Sequence, residues 1–382
     1  MQDRILFYYS IFNIGGAEKS LLKLMDSFVK RGYTVDLLLL YGGGNFENQI
    51  NHKVNIVRLR SKNYKAEFLK TNKALIKIKF IILHLLSYIN YFIKLQSIKK
   101  NTYKCVFVGL HGLNPKLIIK NLNYQKIFQF IRNDLILCDK TNKAHNHIVK
   151  YGKIIDYYVC VAGSCKESFD EKYPALMHKS IVIYNLLSAG NIIEKSKEII
   201  DQASFFNTNS FKILSVCRIQ EKSKGVLRIA SLVKKMIDKR LDVVWYIVGS
   251  GEDEMLLKNK ISELGIEKNL ILLGRKPNPY PYMLLADVIA VPSYYEGLCG
   301  VVNEAKILKL PLLATQFSGI NEQITNNVNG LIVKNSEDNI FLALEKLYYN
   351  KNLFNTLAVN KMPKEITDDD LKMNMLIDYI NR

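Results

Sequence analysis

Two carboxylate residues on either side of a glycine-containing turn have the clearest chemical meaning. In the string VPSYYEGLCGVVNEA, Glu296 follows an apolar predicted strand and Glu304 lies in the first turn of the next predicted helix. Gly297 and Gly300 stand between them, where backbone N–H groups can approach a phosphate or a sugar closely. The helix dipole alone favours an acid near position 304, but it leaves Glu296 and the glycines unexplained. The string therefore predicts a ligand site at the carboxyl edge of a parallel sheet.

The basic loop CRIQEKSKG is the second candidate site element. Arg218 and Lys224 follow a predicted strand and precede a helix predicted to begin near Gly225. Two cations beside a helix N-terminus suit a pyrophosphate, because both the helix dipole and the side chains attract negative charge. An isolated Arg/Lys loop is typical of solvated surface. Together with the glutamate pair, the loop predicts an anionic ligand.

The first half of the sequence has a glycine pair and a histidine after apolar strands. Gly15 and Gly16, in NIGGAEKS, occupy the first predicted strand-to-helix turn, where glycine permits tight turning and close approach of a ligand. His111 lies in VFVGLHGLN. A plain turn and a packed or capping histidine are the alternatives. The string is not GxGxxG, and the acidic residue of a dinucleotide site is not apparent at its usual place.

Alternating apolar strands and helices position these residues. RILFYYS, NIGGAEKS and TVDLLLL read as a βαβ unit, and a second regular series runs from FKILSVCRI to about residue 350. This pattern indicates an α/β protein with parallel sheets covered on both faces. A chain of 382 residues exceeds one ordinary core, so we expect two domains. The predicted division is 1–190, 191–362 and a C-terminal helix at 363–382 that packs back towards the first domain.

Composition restricts the compartment and the partners. The six cysteines are scattered without a CxxC pair, which favours a reducing compartment, and the N-terminus leads directly into a core strand instead of a signal peptide. We therefore expect a cytoplasmic location. The net charge of +19 favours anionic partners. No nucleic-acid-binding module is recognised, so nucleic acid is not an expected partner.

Much of the positive charge lies in one segment. Residues 60–104 include eleven basic residues and one acidic residue, Glu67. Apolar residues within 75–93 share one helical face, and basic and polar residues share the opposite one. The uncharged run 80–93 has 14 residues, too few to span a bilayer. Two interpretations stay open: a helix packed on the core, and peripheral binding of residues 70–95 to the inner face of an anionic membrane.

The order of the motifs resembles glycosyltransferase family 4, the retaining GT-B transferases. The resemblance rests on GGAE, the loop from Arg218 to Gly225, VGSGEDE, LLGR, the glutamate pair with its trailing Ala305, and NGLIV. It is strong over residues 211–345 and weaker over 1–185. There, FQFIRNDL and SIVIYN resemble strings of members that build capsule, exopolysaccharide or lipopolysaccharide. The resemblance implies the GT-B fold, two Rossmann-like β/α/β domains with an interdomain cleft.

The resemblance also implies roles residue by residue. Arg218 and Lys224 would hold the donor pyrophosphate. Glu304 would bind the ribose hydroxyls, and Glu296 would contact the donor sugar. The implied catalytic residues are Glu296 and His111, and the implied donor-binding residues are Gly15, Gly16, Arg218, Lys224, Gly274, Arg275, Gly297, Gly300 and Glu304.

Further implied contacts concern the first half and the base. Gly16 would sit beside the distal phosphate, His111 beside the transferred sugar, and backbone near Gly274 and Arg275 would face the base. Fixed cations and helix N-termini can stabilise a departing nucleoside diphosphate, so neither a metal nor a cofactor is expected. The implied reaction moves a hexose with retention from a UDP or GDP sugar to a glycan or polyprenyl-diphosphate-linked acceptor. No protein nucleophile is nominated.

One departure from the family pattern concerns the donor-sugar pocket. Leu298 and Cys299 follow Gly297 where many members have Phe-Gly, which leaves the shape of that pocket open. We interpret Cys299 as a pocket-lining residue and not a nucleophile, because no histidine lies near it in the sequence. A sugar-nucleotide epimerase and a non-catalytic membrane-associated partner protein are the alternative functions. A phosphorylase would need a pyridoxal-phosphate lysine, which is not identified.

Overall fold

The chain folds into two compact units. The computed structural model describes residues 3–13, 15–60, 74–138, 143–200, 206–359 and 362–382. Unit 1 contains Met1–Val161, Cys165–Leu186 and Asp370–Arg382, and unit 2 contains Ala162–Ser164 and Leu187–Asp369. The main division of the chain therefore falls after Leu186, where the sequence analysis placed it after residue 190.

Unit 1 is built on a seven-stranded parallel sheet with the order β3-β2-β1-β4-β5-β6-β7. The strands are β1 (Arg4–Tyr9), β2 (Thr34–Tyr41), β3 (Asn55–Arg60), β4 (Thr102–Val108), β5 (Asn123–Ile131), β6 (Tyr157–Cys160) and β7 (Ser180–Val182). In the centre, Ile5 is paired with Val35 on one side and with Cys105 on the other. The central strands are runs of buried apolar residues, as expected when helices cover both faces of a sheet.

Helices and short 3-10 segments connect the strands of unit 1. They are α1 (Gly16–Lys30), α2 (Ala74–Lys99), α3 (Lys116–Asn121), α4 (Leu135–Cys138), α5 (Lys143–Tyr151) and α6 (Gly163–Lys172), with 3-10 helices at Glu47–Gln49 and Pro174–Lys179. Helix α1 buries Leu21, Leu24 and Phe28, which lie on one helical face. The Phe28 ring packs 6.1 Å from that of Phe7 and 5.9 Å from that of Phe107, so α1 is fixed on the sheet.

Unit 2 is built on a second parallel sheet with the order β10-β9-β8-β11-β12-β13. The strands are β8 (Phe211–Val216), β9 (Val243–Val248), β10 (Leu270–Gly274), β11 (Val288–Val291), β12 (Leu312–Thr315) and β13 (Leu331–Val333). The order reverses between β8 and β11, and such a switch point is where open parallel sheets bind ligands. Trp245 in β9 donates to Ser215 Oγ at 3.1 Å, and that hydroxyl donates to the Ala290 carbonyl at 2.7 Å. This buried chain links the three central strands.

The helices of unit 2 alternate with its strands. They are α7 (Ala189–Lys195), α8 (Glu221–Lys224), α9 (Val226–Asp238), α10 (Glu254–Leu264), α11 (Tyr280–Leu284), α12 (Gly300–Ile307), α13 (Ile320–Gln323), α14 (Glu337–Tyr349), α15 (Lys351–Leu357) and α16 (Lys364–Thr367). Helix α9 buries Ile229, Val233 and Met236 against the sheet. Both units are thus parallel sheets with helical connections, and the predicted pair of Rossmann-like domains is confirmed.

The last helix, α17 (Asp369–Asn381), belongs to unit 1 over nearly all of its length. It buries Met373, Leu376 and Ile380. Lys126 Nζ donates to the Tyr379 carbonyl at 3.1 Å. Residues distant in sequence therefore complete the packing of unit 1.

Helix α2 exposes its apolar face and buries part of its polar face. Leu85, Ile89 and Phe92 are each more than half exposed, whereas Ser87 is buried. Residues 70–73 of the predicted segment 70–95 lie outside the described residues. For the described side chains, the interpretation of α2 as a helix packed on the core by its apolar face is wrong.

Candidate functional site

Two loops at the switch point of unit 2 carry the predicted charged residues. The first follows β8 and includes Arg218 and the short helix α8, and the second follows β11 and includes Glu296. Because β8 and β11 are neighbouring parallel strands, both loops leave the sheet at its carboxyl edge. The predicted grouping of these loops is therefore present in unit 2.

Lys224 and Glu296 form an ion pair between the two loops. Lys224 Nζ donates to Glu296 Oε1, and the Ser293 hydroxyl donates to the same oxygen at 3.0 Å. Burial lowers the pKa of Lys224, but the attraction and hydrogen bond of Glu296, together with smaller effects of Cys299 and Cys217, outweigh burial, and the pKa lies above its ordinary value. The lysine side chain is still 23% exposed. It is a fixed cation that solvent, or a ligand, can reach.

Glu304 is held by a tyrosine of unit 2. The Tyr280 hydroxyl, at the start of α11, donates to Glu304 Oε1 at 3.2 Å. Burial and the nearby Glu304 carboxylate raise the pKa of Tyr280 well above its usual value, so the phenol stays a hydrogen-bond donor. Sequence analysis did not identify Tyr280, because its only signal is an aromatic residue after Asn-Pro.

The glycines around Glu296 have different surroundings. Gly319, before α13, has a φ of 76°, and a Cβ there would lie 2.1 Å from the Gly297 carbonyl oxygen. The backbones of Gly297 and Gly319 are therefore in direct contact, and there is no room for a side chain at position 319. Gly300 begins α12, and a Cβ on it would meet no heavy atom within 4 Å. The N-terminus of α12 thus borders open space, as a ligand-binding edge requires.

Arg228 is a buried residue that the sequence analysis missed. Its guanidinium carbon lies 3.6 Å from the centroid of the Tyr294 ring, and its NH1 donates to Asn335 Oδ1 at 2.7 Å. Asn335 in turn donates to the Tyr294 carbonyl at 2.8 Å. The Tyr294 N–H donates to the Ser223 carbonyl at 2.8 Å. The network joins α8 to the loop of Glu296, and its sequence signal is an arginine within the apolar string VLRIASLV.

The remaining predicted residues of unit 2 are more exposed. Gly274 ends β10 with a φ of 70°, which favours glycine, and its carbonyl accepts from the Gly249 N–H at 3.0 Å. Arg275 and Arg218 are exposed. The structure pairs Lys224 with Glu296 and places Arg218 and Gly274 at the same sheet edge.

The glycine pair of unit 1 lies at the start of α1, as the sequence analysis placed it. Gly15 precedes the helix in an extended conformation, with φ −168°, which any residue can adopt. The backbone conformation of Gly15 therefore does not itself require glycine. A Cβ on Gly16 would meet no heavy atom within 4 Å. The backbone at this helix start is accordingly open to close approach.

His111 lies in a loop whose backbone carbonyls contact Gln129, a residue of β5. Gln129 is fully buried, and its Nε2 lies 3.2 Å from the Leu110 carbonyl and 3.3 Å from each of the His111 and Leu113 carbonyls. The histidine itself is half-buried. The roles of His111, Gly15 and Gly16 stay predictions that rest on the resemblance.

Arg132 joins the loops of unit 1 from within. Its Nε donates to the Gly109 carbonyl at 2.9 Å, and its NH1 lies 3.2 Å from Ser20 Oγ and 3.3 Å from Asn185 Oδ1. Burial lowers the pKa of Arg132 to about 10, against the opposing effect of Tyr9 and a nearby carboxylate. FQFIRNDL and SIVIYN, which stood out in the sequence, therefore meet at one buried cation.

Across the described ranges, no group of three or more His, Cys, Asp or Glu residues is arranged to hold a metal ion.

A family model matches most of unit 2. Residues 196–367 match the family described as Glycosyl transferases group 1. The matched range includes both charged loops, Gly274 and Glu304, and it ends before α17.

Relatives and solved structures cover more of the chain. An uncharacterized glycosyltransferase of Haemophilus influenzae is 27% identical over 364 residues, which is 91% of each chain. A Campylobacter jejuni enzyme, N-acetylgalactosamine-N,N'-diacetylbacillosaminyl-diphospho-undecaprenol 4-alpha-N-acetylgalactosaminyltransferase, is 30% identical over 207 residues, 51% of this chain and 53% of that one. The crystal structure of Anabaena HepE in complex with UDP and glucose aligns with a TM-score of 0.76 and 15% identity over 99% of both chains. This likeness confirms the predicted GT-B fold class.

Proposed function

We propose that the protein, which its family match and relatives support as a glycosyltransferase, moves a hexose from a nucleoside-diphosphate sugar with retention of configuration. The acceptor is a glycan or a polyprenyl-diphosphate-linked saccharide of surface polysaccharide biosynthesis, and the reaction takes place in the cytoplasm. The observation that carries the proposal is the Lys224–Glu296 ion pair at the switch point of unit 2.

The leaving nucleoside diphosphate is stabilised by fixed positive groups. Lys224 stays cationic because Glu296 raises its pKa, and Arg218 stands exposed in the same loop region. The open N-terminus of α12 at Gly300 adds backbone N–H groups and the positive end of a helix dipole. These groups therefore stabilise the negative charge that develops on the diphosphate, and no divalent metal is needed.

When the donor binds, its diphosphate replaces Glu296 as the partner of Lys224. A diphosphate oxygen beside this lysine competes with Glu296 for the ammonium protons, and phosphate offers more negative charge than one carboxylate. Glu296 keeps the Ser293 hydroxyl on one oxygen and turns its remaining acceptor capacity to the hydroxyls of the donor sugar. The ion pair thus holds both side chains in place before the donor arrives, which reduces the reorganisation needed on binding.

Glu304 is proposed to hold the ribose. Tyr280 occupies one carboxylate oxygen of Glu304 as a donor and so fixes its orientation. The carboxylate so oriented accepts from vicinal ribose hydroxyls, which is the contact that the resemblance implies. Backbone at Gly274 and Arg275, at the end of β10, is proposed to face the base of a UDP or GDP donor.

The acceptor class is supported by a relative and not by the geometry. The Campylobacter jejuni enzyme is named for a saccharide on diphospho-undecaprenol, and it matches about half of this chain. We therefore propose a lipid-linked saccharide as the first acceptor class to test.

The decisive experiment combines nucleotide binding with two lysine variants. A nucleotide that binds only the folded state raises the melting temperature, so UDP or GDP should stabilise the wild-type protein and ADP should not. Lys224→Met should abolish this shift and lower kcat by about 100- to 1000-fold, as loss of one charge-stabilising group does. Lys222→Met is the matched control, because Lys222 is an exposed residue of the same helix, α8. It should behave as the wild type.

Product analysis tests the chemistry. NMR of the product should show the anomeric configuration of the donor sugar preserved in the new glycosidic bond. An inverted product would overturn retention. Conversion of the donor to an epimer without any acceptor would overturn transfer, and a full nucleotide-induced shift in Lys224→Met would overturn the donor site.

A further inference from the structure

Helix α2 exposes a continuous apolar surface. The exposed side chains, between 42% and 65% accessible, are called the outer row and comprise Ile78, Ile81, Ile82, Leu85, Leu86, Tyr88, Ile89, Phe92 and Ile93. The other side of the same helix buries Ser87, Leu95 and Ile98. Single exposed apolar residues are ordinary on soluble proteins, but a contiguous row of this size marks an interaction surface.

The way α2 is attached to the sheet limits how it can contact a membrane. Arg60, the last residue of β3, holds its guanidinium 4.8 Å from the ring centroid of Tyr88 and 5.6 Å from that of Tyr91. By length and composition alone, Ile78–Lys99 could cross a membrane. However, β3 and β4, which precede and follow α2, belong to one sheet, and a single crossing would place them on opposite sides of a bilayer. The helix can therefore lie on a surface but not span it.

We propose that the outer row inserts into the headgroup region of an anionic lipid surface. Helix α2 contains no acidic residue, Lys79 and Lys100 are exposed near its two ends, and residues 60–104 carry a net charge of +10. Apolar side chains that enter the acyl boundary, with lysines reaching lipid phosphates, are the binding mode of interfacial helices. The tyrosine in the row has the amphipathic ring that prefers the interface.

Charge selects a lipid surface over a second copy of the chain. Two outer rows packed together, in either direction, would bring lysines near lysines, because neither helix offers an acid. Like charges across an interface oppose association, whereas anionic headgroups attract the same lysines. The proposal does not rest on the transfer reaction, since it uses residues of unit 1 outside the candidate site.

Vesicle sedimentation of the full chain tests the proposal. Wild-type protein should sediment with vesicles of phosphatidylglycerol and phosphatidylcholine in equal parts, and much less with phosphatidylcholine alone. The row variant Leu85→Gln/Ile89→Gln/Phe92→Gln should lower the partition coefficient by about 100-fold or more, because three apolar side chains no longer leave water. The charge variant Lys79→Gln/Lys100→Gln should lower it by about tenfold.

Matched controls separate loss of binding from loss of folding. Met255 and Leu342 are equally exposed apolar residues of unit 2, so Met255→Gln/Leu342→Gln should sediment as the wild type. The row variant should keep the wild-type melting temperature and any nucleotide-induced shift, since its substituted side chains are exposed. Wild-type protein that stays in the supernatant with both vesicles would overturn the proposal. So would a lipid-free dimer that the row variant converts to monomer.

Discussion

The two sheet edges hold their predicted site residues in opposite ways. In unit 2, Lys224 contacts Glu296 and Tyr280 contacts Glu304 through their side chains, so these site residues support one another. In unit 1, Gly16 has open surroundings, and fixation comes from Arg132, which contacts the loops from inside. In unit 2, the residues predicted to bind the ligand also hold the loops in place. In unit 1, different residues have these two roles.

This difference predicts where each unit tolerates change. A substitution at the edge of unit 2 removes a site residue and a structural contact together, so loss of activity and loss of stability should coincide. A substitution at Gly16 meets free space, whereas Arg132 supports the loops without reaching the surface. In unit 1, stability and substrate contact should therefore be separable by mutation.

The strongest test of this comparison is removal of the buried arginine of unit 1. Arg132→Met leaves the Gly109 carbonyl and the Ser20 and Asn185 side chains without their charged donor, and it should lower the free energy of unfolding by about 3 kcal/mol. Gly16→Ala should cost less than about 1 kcal/mol, since its Cβ meets no neighbour. Urea unfolding monitored by circular dichroism measures both.

A surface arginine provides the control for that measurement. Arg58 pairs with Glu47 at the edge of unit 1 and is 39% exposed, so Arg58→Met should cost less than about 1 kcal/mol. An Arg132→Met protein as stable as Arg58→Met would contradict the assignment of Arg132 as the internal support.

The buried lysine of unit 2 makes stability depend on pH. Lys306, in α12, is fully buried and donates to the Asn329 and Leu357 carbonyls, and burial lowers its pKa to about 8. The unfolded chain keeps this proton up to about pH 10, so between these values it binds more protons than the folded chain, and stability rises with pH. From about pH 8 to about pH 9.5, the unfolding free energy attributable to Lys306 should rise by about 1–2 kcal/mol.

The contribution of Lys306 is read as a difference between proteins. The unfolding free energy of the wild type minus that of Lys306→Met should show the rise, whereas the same difference for Lys334→Met, at an exposed position, should stay flat. Equal pH profiles of the wild type and Lys306→Met would show that Lys306 is not the group that titrates.

The smallest effect is expected at Cys299. Its thiol is buried, and burial followed by the Glu296 carboxylate raises its pKa to about 12, against smaller opposing effects that include Lys224. Thiolate at neutral pH is therefore about 1000-fold scarcer than for an ordinary cysteine. Alkylation of Cys299 by iodoacetamide should be correspondingly slow, and Cys299→Ser should keep sugar transfer within about twofold. A tenfold loss of transfer would show that Cys299 takes part in the reaction.

The sequence allowed the fold and the charged edge of unit 2 to be predicted for a local reason. Strand, loop and helix follow one another within a few tens of residues, and Glu296 lies in the loop that leads into α12, the helix that carries Glu304. Glu304 lies beyond the first turn of α12, where the sequence analysis placed it within that turn. The edge common to parallel strands then brings the loops after β8 and β11 together without further information.

The supporting residues could not be predicted in the same way. Arg132 meets Ser20 and Asn185, which lie 112 and 53 residues away in the chain, and Arg228 meets Asn335 at a separation of 107 residues. Such pairs have no periodic signal. The exposure of α2 was also undecided, since the same amphipathic pattern fits a helix turned towards the core or away from it.

The return of α17 to unit 1 has a consequence for how the protein is made. Met373, Leu376 and Ile380 complete a unit that begins with β1, so unit 1 stays unfinished until nearly the whole chain has left the ribosome. Apart from Ala162–Ser164, unit 2 is contiguous from Leu187 to Asp369 and is complete earlier. Domains fold as units, so unit 1 should not reach its native packing before α17 has been synthesised, however early β1 leaves the ribosome.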